Sequence, residues 1–174
     1  MRKVILGVAI SLDGFIEGAN GEFDWCPPPS QTEMGAFLER IDTLFFGRKS
    51  FELMGITAFP GKKYYVFSNS LKKIEGDNIH LIGGDVVNKV VSIKKESGKD
   101  IWFFGGANLA TTLINAGLVD ELWLGLVPVL LGKGKPLFQN IEQRQHFSLM
   151  RSTPNEGYIS MIYKYEGELK SKTN

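Results

Sequence analysis

The chain has 174 residues, enough for one domain with a sizeable core, and its 43% hydrophobic and 22% charged composition is that of a soluble globular protein. A net charge of +1 argues against a general nucleic-acid binder, which carries a basic face or stripe. Cys26 is the only cysteine, so an intrachain disulfide and a cysteine zinc cluster are excluded and no metal site is expected.

Val4–Ile10 is an apolar, β-branched run that reads as a central strand. It is too short to span a membrane, and Met1-Arg2-Lys3 before it is not followed by a cleavage site, so the expected location is cytoplasmic. Ser11–Pro29 is rich in Gly, Asp, Asn and Pro and reads as a long irregular loop, the kind that binds something. Met34, Phe37, Leu38 and Ile41 fall at helical spacing within a helix over Thr32–Ile41. Thr43–Phe46 is a strand, Lys49–Met54 a short helix, Pro60-Gly61 a turn and Tyr64–Phe67 a strand ending at Ser68-Asn69-Ser70. Ile79–Ile82 is a strand closed by Gly83-Gly84, and Asp85 can cap a helix over Val86–Glu96. Ile101–Phe104 is a strand, Asn108–Asn115 a helix stopped at Gly117, and Glu121–Val127 a strand. His146–Arg151 and Tyr158–Tyr165, separated by a Pro154/Gly157 turn, read as a hairpin, with a polar tail from Gly167. Lys62-Lys63, Lys72-Lys73 and Lys94-Lys95 read as solvated faces. Strands alternating with helices predict an α/β fold, a mostly parallel mixed sheet with helices on both faces and a closing antiparallel hairpin, as one domain over 1–166 followed by the tail 167–174.

Two strand endings carry the functional signal. Thr43-Leu44-Phe45-Phe46 runs into Gly47-Arg48-Lys49-Ser50, and Ile101-Trp102-Phe103-Phe104 runs into Gly105-Gly106-Ala107-Asn108. Glycine lets a ligand touch the backbone, and the unpaired N–H groups of a helix N-terminus attract anions. Two such endings on one sheet suit a ligand with several phosphates, and a dinucleotide fits. Ala9, Gly47, Ser68, Gly83 and Gly105 all lie near the carboxyl ends of strands, where an α/β sheet binds ligands. Arg48 and Lys49 supply charge and Ser50 a hydroxyl, while Gly106, Ala107 and Asn108 can present successive N–H groups to a pyrophosphate. Ser68, Asn69 and Ser70 beside Lys72 suit a ribose 2′-phosphate, favouring NADPH over NADH. No G-x-G-x-x-G follows the first strand, which disfavours a Rossmann domain, and no Walker loop is present.

With these residues in hand, the chain resembles the reductase domain at the C-terminus of riboflavin-biosynthesis RibD proteins, a family with the dihydrofolate reductase fold. The resemblance rests on an ordered set covering nearly the whole chain. It comprises Ser11-Leu12-Asp13-Gly14-Phe15-Ile16, Asp24-Trp25, Gly47-Arg48-Lys49-Ser50-Phe51-Glu52, Phe67-Ser68-Asn69-Ser70-Leu71 and Gly105-Gly106-Ala107-Asn108-Leu109. Gly117-Leu118-Val119-Asp120-Glu121-Leu122 and Val127 through Phe138 follow. The resemblance implies an NADPH-dependent reductase with an eight-stranded mixed sheet, and a homodimer. It carries cofactor contacts over to Ala9, Ile16, Gly47 through Ser50, Ser68 through Ser70, and Gly105 through Leu109, with Gly134 on the nicotinamide-side loop. The zinc deaminase half of the bifunctional proteins needs H-x-E and P-C-x-x-C, which one cysteine cannot supply.

Hydride transfer needs orientation of two carbons and a proton source. Asp13 and Glu33 are the candidate catalytic carboxyls; either could donate directly or hold a water, provided burial raises its pKa toward neutral. Glu33 lies close to where dihydrofolate reductases place a pterin-binding carboxylate. Trp25 is a candidate wall against a flat heterocycle, His80 and His146 receive no role, and Asp120-Glu121 reads as a cap or subunit contact. Lys133 and Lys135 lie in a glycine-bearing loop that could meet a substrate phosphate. The expected function is reduction of a flat nitrogen heterocycle, either a phosphoribosylaminouracil of riboflavin synthesis or a dihydropterin. A nucleotide-binding module without turnover is the alternative, and a phosphate-ester enzyme a third reading for which no metal-binding carboxylates stand near the glycines.

Overall fold

The computed structural model describes residues 1–55 and 58–168; residues 169–174 of the expected tail lie outside them. In chain order the elements are β1 (Val4–Ser11), β2 (Phe15–Gly18), α1 (Gln31–Arg40), β3 (Ile41–Gly47), α2 (Arg48–Met54), β4 (Lys63–Phe67) and β5 (Ile79–Ile82). They continue as α3 (Val86–Lys95), β6 (Asp100–Gly105), α4 (Ala107–Asn115), β7 (Glu121–Val127), β8 (Gly134–Pro136), β9 (Gln145–Asn155) and β10 (Tyr158–Glu168). Among the described residues eight strands form one sheet in the order β5-β4-β3-β6-β1-β7-β10-β9, parallel from β5 to β7 and antiparallel at β10 and β9.

The apolar runs of β1, β3, β4 and β6 are buried because helices cover both faces of the sheet. On one face Val90 and Ile93 of α3 and Leu109, Ala110, Leu113 and Ile114 of α4 join Val4, Leu6, Phe45, Ile101 and Phe103. On the other, Phe37 of α1 packs with Ile5, Leu44, Phe46, Tyr64 and Trp102, with Phe51 and Met54 of α2 against them. The Asp85 carboxylate caps α3 as expected, accepting from Asn88 N, and Ser30 Oγ caps α1 by accepting from Glu33 N.

Four readings need correction. The loop after β1 is not wholly irregular, since β2 pairs with β8 in a small antiparallel ribbon. Pro154 lies inside β9 rather than in the turn; β9 is the outer strand, with one side free of ladder partners, where proline is tolerated. Lys94 is not solvated: it is buried and ion-paired with Asp120, while Lys62 Nζ donates to Leu38 O and Ile41 O at the end of α1. Asp120 and Glu121 are used within the chain, Asp120 accepting from Val4 N and Glu121 pairing with Lys3 and Arg40.

Gly7 shows how tightly the centre is set. The Trp102 indole lies over it and donates to its carbonyl at 3.0 Å, and a Cβ on Gly7 would stand 2.7 Å from Nε1. Gly7→Ala is therefore expected to lower stability by about 1–3 kcal/mol, the range for overpacking a filled core. Urea unfolding measures the loss, and a shifted tryptophan emission reports the displaced indole; unchanged stability and emission would show that the indole has room to move.

Candidate active site

The sheet parts at its carboxyl end. β1 follows β7 along its whole length, from Ile5↔Glu121 to Ser11↔Val127, but follows β6 only from Val4↔Ile101 to Leu6↔Phe103. The cause lies on the other side of β6, where Phe45 pairs with Phe103 and Phe46 with Gly105, so that Phe104 is an extra residue that bends the strand away. The direction of the freed backbone follows from alternation. Lys3 O bonds Ile101 N on the β6 side, Val4 O bonds Asp120 N on the β7 side, and Gly7 O meets the Trp102 indole from β6. In a parallel strand a residue's N–H and C=O point the same way, so both groups of Ala9 face the opening, where no strand among the described residues meets them.

Next to this opening the two glycine endings touch. A Cβ on Gly47 would stand 3.4 Å from Gly105 O and 3.6 Å from Gly106 N, and one on Gly106 would stand 3.8 Å from Ser50 Oγ. Gly105 holds φ +131°, a conformation for glycine. From these adjacent ends α2 leaves toward the Trp102 face and α4 toward the Leu113 face, so the two helix starts flank one crevice. That divergence is the topological switch at which open α/β sheets bind ligands. Gly47 and Gly106 occupy the N-cap positions with no side-chain cap, in contrast to Ser30 and Asp85 at the other two helices. Their first N–H groups are left for an acceptor. Arg48 pairs with Glu52 at 2.8 Å in an exposed one-turn contact, weak enough for the guanidinium to exchange partners, and Lys49 is exposed. Ala107 and Leu109 bury their side chains in the core, so only their backbone faces outward; Asn108 is exposed and accepts from Gln139 Nε2 at 2.8 Å.

Ser68-Asn69-Ser70 lies two strands from the opening. Ser68 Oγ accepts from Ser70 N and Leu71 N at 3.2 and 3.1 Å, and Asn69 Oδ1 accepts from Gly84 N at 2.9 Å, so the turn is rigid before any ligand arrives. A hollow of 470 Å³ lined by Ile82, Gly83, Asp85 and Lys89 adjoins it. A second, of 720 Å³, lies elsewhere, among Ile114, Leu124, Phe138, Phe147 and Tyr163. The ends of β4, β3 and β6 and the Ala9 stretch of β1 thus lie side by side, spanning about 14 Å at the usual strand spacing. A single phosphate does not need such a row.

On the α1 face the strands beside the opening carry small residues: Gly7 and Ala9 in β1, Gly125 opposite Ala9 in β7. The Trp102 indole covers Gly7 and the Tyr158 ring lies against Gly125, where an added Cβ would stand 3.4 Å from it, so Ala9 lies between two aromatic rings. Glu33, in the first turn of α1, has a side chain only 13% exposed; Oε2 accepts from Asn155 Nδ2 at 3.1 Å and Oε1 lies 3.7 Å from Arg151 Nη2. Trp25 is half-buried in the loop before α1 and donates to Glu22 O at 3.3 Å, stabilising its own loop. Sequence reading missed Gly7, Trp102, Gly125, Tyr158, Arg151 and Asn155; the small residues at alternate positions of two apolar strands were the available signal.

Asp13 departs from the condition set for it. It is exposed, and its pKa lies below the ordinary aspartate value, chiefly because Ser11 Oγ donates to it at 2.6 Å, aided by the amides of Gly132 at 2.7 Å and Leu131. It is an ionised staple between the loop after β1 and the loop before β8 rather than an acid of raised pKa. The same junction holds Leu12 N to Val129 O and Leu137 N to Gly14 O, and Ile16 packs on the core. Gly134 (φ +157°) runs so close to β2 that a Cβ would stand 2.2 Å from Glu17 O. Cys26 is half-buried, burial and Asp24 raising its thiol pKa. Among the described residues no helix is long and apolar enough to cross a membrane, and no group of three or more His, Cys, Asp or Glu is poised to hold a metal.

The family model described as the RibD C-terminal domain matches residues 65–157. The uncharacterized YyaP protein of Bacillus subtilis (strain 168) is 41% identical, over 95% of this chain and 96% of its own length. A Shewanella sp. PV-4 protein assigned provisionally to riboflavin biosynthesis has a crystal structure that superposes with a TM-score of 0.80 at 26% identity, covering 95% of this chain and 99% of that one. The dihydrofolate reductase of Enterococcus faecalis, solved with NADP(H), gives a TM-score of 0.69 at 18% identity over 94% and 96% of the two chains, a likeness of fold. The architecture is therefore the three-layer dihydrofolate reductase-like α/β fold.

Asp13→Ala should leave the sheet intact and speed amide exchange at Leu131 and Gly132, with Tyr64–Phe67 unaffected. Because the folded-state pKa is depressed, the staple holds above the ordinary aspartate value and is lost as pH falls through the lower folded one. Hydrogen exchange read residue by residue against pH checks this; protection at Leu131 and Gly132 that survives the substitution would remove Asp13 from the junction.

Proposed function

Because the chain belongs to the RibD C-terminal domain family, we propose that it is an NADPH-dependent reductase acting on a flat nitrogen heterocycle. The observation that carries this reading is the crevice between β3 and β6, where Gly47 and Gly106 meet without Cβ atoms and two uncapped helix starts diverge. It fits a pyrophosphate by the chemistry of its donors, and a side chain at either glycine would fill it. Dihydrofolate reductase of Enterococcus faecalis shares the fold and was solved with NADP(H), which supports the same assignment here.

The row of strand ends then divides by chemistry. The N–H groups of Ala107, Asn108 and Leu109 and of Arg48 through Ser50 hold the pyrophosphate. Ser68, Asn69 and Ser70, with Arg48 and Lys49 nearby, take the ribose 2′-phosphate. The free N–H and C=O of Ala9 match a carboxamide, which offers one acceptor and two donors. Ile16 and Gly134, in the β2–β8 ribbon, close the nicotinamide end. Bound NADPH supplies the hydride. The chain's part is to hold the heterocycle flat over Ala9, between the Trp102 indole and the Tyr158 ring, so that the two reacting carbons stay in contact and aligned. Glu33 orients the heterocycle's polar edge, and Trp25 stands at the substrate side of its loop. Asp13 keeps the ribbon in place. The proposed substrate is either a phosphoribosylaminouracil, whose phosphate Lys133 and Lys135 could meet, or a dihydropterin. The family resemblance also carries a homodimer, which sedimentation velocity checks.

NADPH should quench tryptophan emission and bind more tightly than NADH; equal affinity would contradict the 2′-phosphate assignment. Arg48→Ala should weaken NADPH binding by about 1.5–3 kcal/mol, the range for a charge-assisted hydrogen bond. An unchanged dissociation constant in the same titration would remove Arg48 from the site.

A further inference from the structure

We propose that Arg151 is a selectivity residue, a built-in counter-ion that keeps basic, amidine-bearing heterocycles off Glu33. The inference rests on the reading that Glu33 faces the substrate, and it concerns what that carboxylate will accept. A protonated amidine on a heterocycle presents two parallel N–H donors and needs both oxygens of a carboxylate. Here one oxygen already has a donor from β9 and the other has a cation from the same strand close by. Oε2 accepts from Asn155 Nδ2 at 3.1 Å, and Oε1 lies 3.7 Å from Arg151 Nη2.

The backbone sets this arrangement. Arg151 pairs with Ile162 and Leu149 with Tyr163, so Met150 is a bulge that resets the alternation of β9. Arg151, Thr153 and Asn155 then share the face on which Ile162 neighbours Trp123, the ring that Phe37 of α1 packs against at 4.3 Å. Asn155 cannot rotate freely, because Nδ2 also donates to Thr153 O at 3.2 Å; its carbonyl oxygen is left to accept. Arg151 is 58% exposed while Glu33 is 13% exposed, so the cation is solvated and the anion is not. A cationic ligand that binds Glu33 through both oxygens must displace the guanidinium from Oε1. A heterocycle with a neutral edge, one N–H and one C=O, finds the acceptor of Asn155 and the remaining donors of Arg151 without breaking the pair. The site therefore selects neutral or anionic polar edges over basic ones.

The test uses 2,4-diaminopyrimidine as the basic probe, titrated by calorimetry at a pH where it is protonated. Wild-type protein should bind it weakly and Arg151→Gln about tenfold more tightly, as expected on freeing a poorly solvated carboxylate for a charged hydrogen-bonding partner. Arg151→Lys, which keeps the charge, should stay close to wild type, and adding Glu33→Gln to Arg151→Gln should abolish the gain. Equal affinity in wild type and Arg151→Gln, or a gain that persists without the Glu33 carboxylate, would overturn the proposal. NADPH titration of the same proteins separates the two claims. If NADPH does not bind but the diaminopyrimidine ranking holds, the reductase reading falls and the selectivity role stands. If NADPH binds and the ranking fails, the selectivity role falls alone.

Discussion

The structure depends on one parting of strands. β1 and β6 are neighbours for three residue pairs and then separate, because the Phe104 bulge turns β6 toward β3 while β1 stays with β7. A central strand rarely gives up its ladder, since a buried backbone group without a partner costs about 1–3 kcal/mol. The fold offsets part of that loss locally: the Trp102 indole takes the Gly7 carbonyl, and Gly7 makes room for it. Ala9, one alternation further, has no such substitute among the described residues. Its amide and carbonyl are the groups that a carboxamide would satisfy, which ties the energetics of the sheet to ligand binding.

Polar groups are divided between the two ends of the sheet. At the amino ends of the strands charged side chains are paired with one another: Arg2 with Asp42 and Thr43, Lys94 with Asp120, and Arg40 with Asp100 and Glu121. At the carboxyl ends the available groups are backbone N–H donors at Gly47 and Gly106, which no side chain caps. Backbone donors on a rigid sheet hold their geometry before the ligand binds, so little ordering is left to do. The Asp13 staple extends this order to the β2–β8 ribbon, fixing the loop before β8 to the loop after β1.

Local signals were legible in the sequence, and distant partnerships were not. Ile101–Phe104 running into Gly105 needs only its own residues to read as a buried strand opening a helix, and both glycine endings stand where expected. The Asp85 cap and the Gly117 stop are equally local. β2 and β8 were invisible because each is a few residues long and finds its partner more than a hundred positions away, Phe15 opposite Pro136. Lys94 looked solvated because its helix gives no hint of Asp120, 26 positions on. Asp13 and Glu33 were singled out as carboxyls near the cleft, but Leu131 and Gly132 reach the first, and Arg151 and Asn155 the second, from the other end of the chain. Those surroundings make one a staple and give the other a resident donor and a counter-ion. Residue type picked out the candidates; long-range pairing decides what each of them touches.

The most direct test is a crystal structure of the protein with NADPH. The account predicts the pyrophosphate against the amides of Ala107 through Leu109 and of Arg48, the 2′-phosphate at Ser68 through Ser70, and the nicotinamide carboxamide bonded to the Ala9 backbone between β1 and β6. A coenzyme bound elsewhere, or one that reaches the glycines and leaves the Ala9 opening empty, would contradict it.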